Sequence, residues 1–241
     1  MMDVKKNVIE FRHDSTTEET VIAGYCNEYA ESILEVLAPF GVTKDGSITG
    51  NDSNYSKPME SSNKIKFYLD GSFIFYLVMD GLKLKMCIPA ENMTSVDTTY
   101  ILEPLSLNFI YYCTEETVLF HLFSGTDYGN NTSGYMNFIG TVKDLEDASY
   151  SERCFGWFYS GTYIKMWRKG VYTYCSLVSF SILNQPTQII KFPFLVKGNY
   201  YISEFWNMYI PISISQNEPN NVIGDMRVTS LNGNKMTYWV H

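Results

Sequence analysis

Short apolar runs separated by two-residue turn signals are the strongest pattern in the middle of the chain. Between residues 64 and 88, three such runs are divided by Asp70-Gly71 and by Asp80-Gly81. Both central residues of a type I′ turn need a positive φ, which Gly adopts freely and Asp tolerates. The stretch therefore predicts a β-meander of three strands.

The side-chain alternation in this meander indicates a β-bulge. With strict two-residue turns, the central strand would be apolar on both faces, because successive side chains point to opposite sides. Either both faces are covered near the middle, or one turn carries an extra residue that gathers the apolar side chains on one side. We expect the bulge, with four lysines on the opposite face: Lys64, Lys66, Lys83 and Lys85.

A second meander is predicted between residues 154 and 180, where Ser160-Gly161 and Lys169-Gly170 are the turn signals. Strict turns place Trp167 opposite Tyr172, and Lys165 opposite Tyr174. Phe155, Trp157, Ile164 and Met166 then form the core side. The other side is predicted to be an outer aromatic face whose binding or interface residues are Tyr163, Lys165, Trp167, Tyr172 and Tyr174.

Three interpretations of this aromatic face stay open. The helix or another sheet covers it, it is a subunit interface, or it is a saccharide platform, since aromatic rings stack on sugars and anchor interfaces. Replacing Trp167 by Ala separates these cases. An exposed ring could be lost without unfolding the monomer, whereas loss of a core ring would unfold it.

One amphipathic helix is predicted near the N-terminus, from residue 17 to residue 38. Thr16 to Glu19 has the spacing of a capping box, and Pro39-Phe40-Gly41 ends the pattern. The apolar stripe is expected to cover a sheet of the same subunit or to pack against another copy. It recurs at three- and four-residue intervals, at Ile22, Cys26, Tyr29, Ile33 and Leu37.

The remaining segments complete a mainly β organisation. Residues 1–42 hold a short strand and the helix, and residues 43–63, rich in Gly, Ser, Asn and Asp, predict a flexible linker or loop. Short strands with regular turn signals follow, which predicts an antiparallel β-sandwich or barrel-like sheets. We expect a first β unit at 64–140 and a second at 141–241, or one continuous β domain at 64–241.

Charge and cysteine usage narrow the cellular setting and the partners. The net charge of −8 at pH 7 makes nucleic acid a poor partner. Five widely spaced cysteines predict free thiols in a protein made in the cytoplasm. No apolar run has the form of a signal peptide or the length of a membrane helix, so we expect neither signal-directed secretion nor membrane insertion.

Motifs for catalysis and for metal binding are missing from the sequence. His13, His121 and His241 are too scattered for a catalytic triad or a metal site. There is no Gly-rich phosphate loop, nucleophile elbow or paired-cysteine motif. We therefore expect no enzyme activity, no cofactor and no metal. Glycoside cleavage needs only two carboxylates, so a pair assembled by the fold stays open.

The composition and predicted secondary structure of the chain resemble those of a known class of proteins. The chain combines short strands, unpaired cysteines, abundant Asn, Ser, Thr, Gly and Tyr, and a single N-terminal helix. In these features the part from about 64 to 241 resembles virion structural proteins of tailed bacteriophages or prophages, above all tail, baseplate and adhesin components. The resemblance implies a non-enzymatic structural or interaction protein in a virion. It would act by self-assembly or receptor contact, as a homo-oligomer or with virion partner proteins. The alternatives are a carbohydrate-binding module for a surface glycan and a carboxylate-dependent glycan hydrolase.

Overall fold

The computed structural model describes residues 5–113, 115–125, 137–144, 146–160 and 163–176, and short strands beyond them. The first half contains β1 (Lys5–Glu10), α1 (Glu19–Leu37), a 3-10 turn (Ala38–Phe40), β2 (Val42–Asp45), β3 (Ile65–Leu69), β4 (Ser72–Asp80), β5 (Lys83–Pro89), β6 (Val96–Leu102), a second 3-10 turn (Pro104–Ser106) and β7 (Leu107–Cys113). The second half contains β8 (Val118–Ser124), β9 (Asn137–Asp144), β10 (Ser151–Ser160), β11 (Tyr163–Arg168), β12 (Val171–Ser176), β13 (Phe194–Leu195), β14 (Tyr200–Ser203), β15 (Met208–Tyr209), β16 (Met226–Leu231) and β17 (Asn234–Trp239).

The strands form antiparallel sheets, and the prediction of a mainly β, sandwich-like fold with an N-terminal helix is confirmed. A five-stranded sheet has the order β2-β3-β4-β5-β6. A nine-stranded sheet has the order β1-β7-β8-β9-β10-β11-β12, with β14 added to β9 and β13 added to β14. A third sheet has the order β15-β17-β16.

The five-stranded and nine-stranded sheets share one hydrophobic core. The ring of Phe75 on β4 lies 5.6 Å from that of Phe155 on β10 and 6.4 Å from that of Phe120 on β8, centroid to centroid. All three rings are fully buried. Interlocking of side chains between two sheet faces is the packing of a β-sandwich.

The first meander contains the expected bulge. Phe67 pairs with Phe75 and Tyr68 pairs with Phe73, so Ile74 is the extra residue on β4. Asp70 and Gly71 have φ values of 48° and 80°, as a type I′ turn requires. The bulge brings the apolar side chains of three strands onto one buried face, formed by Ile65, Phe67, Phe75, Leu77, Met79, Leu84 and Met86.

The second turn of this meander differs from the predicted one. Asp80 pairs with Lys83, so the two turn residues are Gly81 and Leu82 rather than Asp80 and Gly81. Gly81 has a φ of 62°, which suits the first central position of a type II′ turn. The change shifts the register by two residues, and the faces of β5 therefore stay as expected.

Helix α1 closes one side of the core. Its stripe is buried from Ile22 to Leu37, and the Tyr29 hydroxyl donates a hydrogen bond to the carbonyl oxygen of Asn108 on β7. The helix begins with Glu18 as its N-cap and without the predicted capping box, because the Thr16 hydroxyl accepts from the Glu18 N–H instead. Gly41, with a φ of 85°, ends the 3-10 turn as expected.

The segment between β2 and β3 is organised around a buried lysine. Lys64 Nζ donates to the carbonyl oxygens of Asn54, Lys57 and Glu60 at 2.7, 2.6 and 2.8 Å. Its side chain is fully buried, and its ammonium group lies 3.3 Å from Oδ2 of Asp52. Residues 43–45 of the predicted linker belong to β2, a strand that the sequence analysis did not predict.

Strands from both predicted β units lie side by side in the nine-stranded sheet. β9 runs across the boundary expected between residues 140 and 141. It pairs with β8 and β14 along one edge and with β10 along the other. Among the residues described by the structure, no helix is both long enough and apolar enough to cross a membrane.

Candidate binding cleft

The register of β11 and β12 agrees with the sequence analysis, but that of β10 and β11 does not. Trp167 pairs with Tyr172, and Lys165 pairs with Tyr174, as predicted. In the preceding hairpin, Phe158 pairs with Ile164 and Ser160 pairs with Tyr163, so one extra residue bulges from β10. As a result, Phe155 pairs with Trp167 and Trp157 pairs with Lys165.

The predicted outer face is therefore the inner face for Trp167 and Lys165, which are only 2% and 7% exposed. The bulge reverses the alternation of β10 and puts Phe155 and Trp157 on the same side as Trp167. Tyr172 is partly buried, with its ring 5.2 Å from that of Trp167 at an angle of 75°. The side chains of Tyr163, Ile164 and Tyr174 lie outside the described part of the chain. A binding role for the five predicted residues stays a prediction.

Lys165 is buried because it has a partner in the other sheet. Its Nζ lies 2.8 and 2.9 Å from the two carboxylate oxygens of Asp97 on β6. The Thr98 hydroxyl donates to the same carboxylate at 2.9 Å. Burial of a lysine without a partner would be strongly unfavourable, and the ion pair offsets this cost.

A polar cleft of about 610 Å³ opens at the end of the sandwich where Asp70-Gly71 lies. Its wall combines the β3–β4 hairpin with the ends of β9, β10 and β11, and Trp167 belongs to it. The cleft is lined by Pro39, Phe40, Leu69, Asp70, Ser72, Ile74, Glu115, Glu116, Thr141, Ser151, Glu152, Arg153, Trp167 and Lys169.

Arg153 and Asp70 meet across this cleft from different sheets. Arg153 Nη1 lies 3.7 Å from Oδ1 of Asp70, and the side chains are 44% and 59% exposed. Gly41 makes room for both, since a Cβ there would lie 2.0 Å from Arg153 Nη1 and 2.8 Å from Asp70 Oδ1. The glycine that ends the helix thus also permits the Arg153–Asp70 ion pair.

Two further carboxylates around the cleft form ion pairs with basic side chains. Arg168 Nε lies 3.4 Å from Oε2 of Glu152, which also accepts from the Tyr150 hydroxyl. Strand alternation places Glu152 and Arg168 on the face opposite Arg153 and Trp167. Lys143 Nζ lies 3.7 Å from Oε2 of Glu116. Glu115 is exposed at the rim.

Two cationic side chains at the cleft are exposed and have no described hydrogen bond. Arg153 has only the long ion pair with Asp70, and the Lys169 ammonium lies 5.6 Å from the ring centroid of Tyr150. The indole nitrogen of Trp167 also has no acceptor among the described residues, but it is buried. A ligand with acceptor oxygens would therefore find accessible donors in Arg153 and Lys169.

The residues that define this cleft carry no joint signal in the sequence. The sequence pattern identifies Asp70 and Lys169 only as turn residues and does not single out Arg153. Asp70 is more than eighty residues from the other two along the chain, and only the sheet order brings the three together. Trp167 is predicted for an outer surface, but the structure buries it in the shared core, where it also lines the cleft.

The thiols of Cys26 and Cys87 are deeply buried. Burial raises the pKa of the Cys26 thiol from 9.0 to about 12 and that of Cys87 to about 11. Because the thiolate is the reactive form, both are weak nucleophiles at neutral pH. No group of three or more His, Cys, Asp or Glu side chains in the described segments is placed to hold a metal ion.

Comparison with known proteins adds no relative. No protein-family model, no curated protein and no solved structure matches the chain.

Proposed function

We propose that the protein is a non-enzymatic interaction protein that works by receptor contact and binds a saccharide in the end cleft. The observation that carries the proposal is the composition of the cleft wall. Charged groups of both signs, the hydroxyls of Ser72 and Ser151, and the exposed apolar ring of Pro39 meet in about 610 Å³.

A saccharide matches these features because each hydroxyl both donates and accepts hydrogen bonds. Carboxylates such as Asp70 and Glu115 accept from sugar hydroxyls, while Arg153 and Lys169 donate to sugar oxygens. Apolar surface in the same pocket meets the C–H faces of the ring. Binding sites commonly combine such an apolar wall with a few polar groups that orient the ligand.

A glycan hydrolase is the second candidate, because the fold brings several carboxylates to one cleft. Such an enzyme needs a carboxylic acid that donates a proton to the leaving group, and a second carboxylate facing it. Asp70, Glu116 and Glu152 each already form an ion pair with a basic side chain. This leaves Glu115, so binding without cleavage is the better supported function.

We also propose that the protein assembles into a phage-type virion, on the basis of the composition and short-strand pattern of residues 64–241. A tail or adhesin component contacts its receptor with an exposed site, and a cleft at one end of a sandwich is suited to this. Flanking tail or capsid genes would support this setting, and sizing of the purified protein would test self-assembly. Both tests are independent of saccharide binding.

The saccharide proposal is tested on a glycan array with a variant that fills the cleft. Ser151 is exposed on β10 and lines the cleft, so Ser151→Trp would occupy it without disturbing the core. Ser53→Trp, at an exposed position away from the cleft, is the matched control. We expect the wild-type protein and Ser53→Trp to bind the same glycans and Ser151→Trp to lose them.

Two outcomes would contradict the proposal. The first is an array with no glycan bound, and the second is binding that Ser151→Trp leaves unchanged. Cleavage of a bound glycan, abolished by Glu115→Gln, would instead establish the hydrolase. Cleavage is followed by the appearance of new reducing ends.

A further inference from the structure

We propose that the saccharide carries a carboxylate, as uronic and sialic acids do, and that this carboxylate takes the place of Asp70 on Arg153. The inference rests on the proposed function of the cleft and names its ligand class. It is carried by the geometry of the Arg153–Asp70 pair and by the neighbouring ammonium group of Lys169.

The Arg153–Asp70 pair is poorly formed for two groups that lie so close together. Its closest distance of 3.7 Å exceeds the range of a hydrogen bond. Arg153 has no other described polar contact, although a guanidinium offers five N–H donors in a planar fork. A carboxylate on the ligand can bind this fork through two parallel hydrogen bonds, which Asp70 does not do here.

Asp70 is constrained in a way that explains the long distance. It is the first central residue of a type I′ turn, with a φ of 48°, and its N–H faces the carbonyl oxygen of Gly41 at 3.3 Å. The turn therefore sets where the carboxylate can reach. A ligand is free of this constraint and can approach Arg153 in the geometry that a guanidinium prefers.

A second cation lies in the same wall. Lys169, in the turn after β11, is exposed and has only a cation–π contact with Tyr150 among its described interactions. One acidic group with two oxygens can accept hydrogen bonds from both Arg153 and Lys169.

The acidic rim limits how much negative charge the ligand can carry. Glu115, Glu116 and Asp70 lie around the cations, and the whole chain has a net charge of −8. Dense polyanions such as nucleic acid would be repelled. A sugar acid with one carboxylate on an otherwise neutral, hydroxyl-rich body fits both the donors and the rim.

The test compares acidic oligosaccharides with neutral ones of the same length by isothermal titration calorimetry. The panel contains glucuronate, galacturonate and sialic acid oligosaccharides, each beside its neutral counterpart. Four variants of the full chain are measured. Arg153→Gln removes the fork and Arg12→Gln, at the opposite end of the nine-stranded sheet, is its control. Asp70→Asn removes the competitor, and Asp80→Asn, at the other end of β4, is its control.

Asn tolerates a positive φ as Asp does, so Asp70→Asn keeps the turn. We expect an acidic member to bind at least about tenfold more tightly than its neutral partner, and Arg153→Gln to abolish that preference. Asp70→Asn should strengthen acidic binding by about threefold or more, since it frees the guanidinium. Neither control should change the preference. If Asp70 served only to stabilise the fold, replacing it would not increase the affinity for the acidic saccharide.

The failures of the two proposals are distinguishable. Equal binding of neutral and acidic saccharides, or a preference that survives Arg153→Gln, would overturn the carboxylate inference and leave the saccharide cleft standing. Weaker acidic binding by Asp70→Asn would also overturn it. If no member of the panel binds, both proposals fail.

Discussion

Lys165 on β11 and Asp97 on β6 join the two sheets of the sandwich through a two-pronged ion pair, with Nζ–O distances of 2.8 and 2.9 Å. The side chains are only 9% and 19% exposed. Lys165 lies on the same inner face of β11 as Trp167, and the ion pair explains how a lysine can occur on this core-facing side.

Replacing one partner of this ion pair should lower the free energy of unfolding more when the other partner is present than when it has already been replaced. Lys165→Met would leave Asp97 without its cation, and Asp97→Leu would leave a lysine almost buried without its anion. Each is expected to lower the free energy of unfolding by about 3 kcal/mol. The double variant should lose less than the sum of the two, by about 1 kcal/mol or more. Urea unfolding of the four proteins measures this, and strict additivity would show that the pair is not coupled.

Trp167→Ala should destabilise the protein strongly, because the ring is in the shared core. Truncation of a buried aromatic ring costs about 3–5 kcal/mol. Val171 lies just across the same hairpin but is 57% exposed, so Val171→Ala should change stability by less than about 0.5 kcal/mol. Thermal melting compares the two. A Trp167→Ala protein as stable as Val171→Ala would mean that the ring does not support the core.

Lys64→Met should release the segment that wraps around its ammonium group. The methionine keeps the apolar stem but leaves Asp52 and the carbonyl oxygens of Asn54, Lys57 and Glu60 without their donor. We expect a loss of about 3 kcal/mol and rapid proteolysis between residues 51 and 63. Lys66→Met, two residues further along on β3, is the control. Equal protease resistance of both variants would contradict the role of Lys64.

Tyr76 should make the protein sensitive to alkaline pH. Burial raises the pKa of its phenol above the ordinary value of 10.0, and its hydroxyl donates to the carbonyl oxygen of Tyr55 at 2.6 Å. Because the folded-state pKa is the higher one, this stability is present below about pH 10 and is lost as the pH rises further.

Tyr76→Phe removes the titration of this phenol. Above about pH 10, the free energy of unfolding of the variant should therefore fall with pH less steeply than that of the wild type, and the two slopes should differ by about 1.4 kcal/mol per pH unit. Below about pH 9 the variant should be less stable than the wild type by about 1 kcal/mol, because the hydrogen bond is lost. Urea unfolding at several pH values measures both effects. Parallel curves for the two proteins above about pH 10 would show that Tyr76 is not the group responsible.

Local signals in the sequence were sufficient for two of the four hairpin turns in the meanders and for the extent of the helix. Asp70-Gly71 and Lys169-Gly170 both have two successive positive φ values, whereas Asp80 and Ser160 pair across their hairpins and are not central turn residues. The period of the apolar stripe predicted α1 to within two residues at its start and one at its end. These features depend on residues that are neighbours in the chain, which is why the sequence alone reveals them.

Contacts between residues that are far apart in the chain could not be predicted from local sequence signals. The sequence around Ser160 does not show whether the hairpin is bulged, because aromatic and apolar residues alternate on both faces of β10. Without the bulge, Trp167 and Lys165 fall on the wrong side. The partner of Lys165 is 68 residues away, and the cleft joins six segments of the chain. Only the sheet order brings these residues together.

The most direct test of the saccharide cleft is NMR mapping of backbone amides during titration with the tightest-binding oligosaccharide of the panel. The account predicts that saturable shifts concentrate at residues 69–72 and 151–153, which form facing walls of the cleft. Amides of residues 54–60, which surround Lys64, should not move. Saturable binding with shifts elsewhere, or no shifts at residues 69–72 and 151–153, would contradict the account.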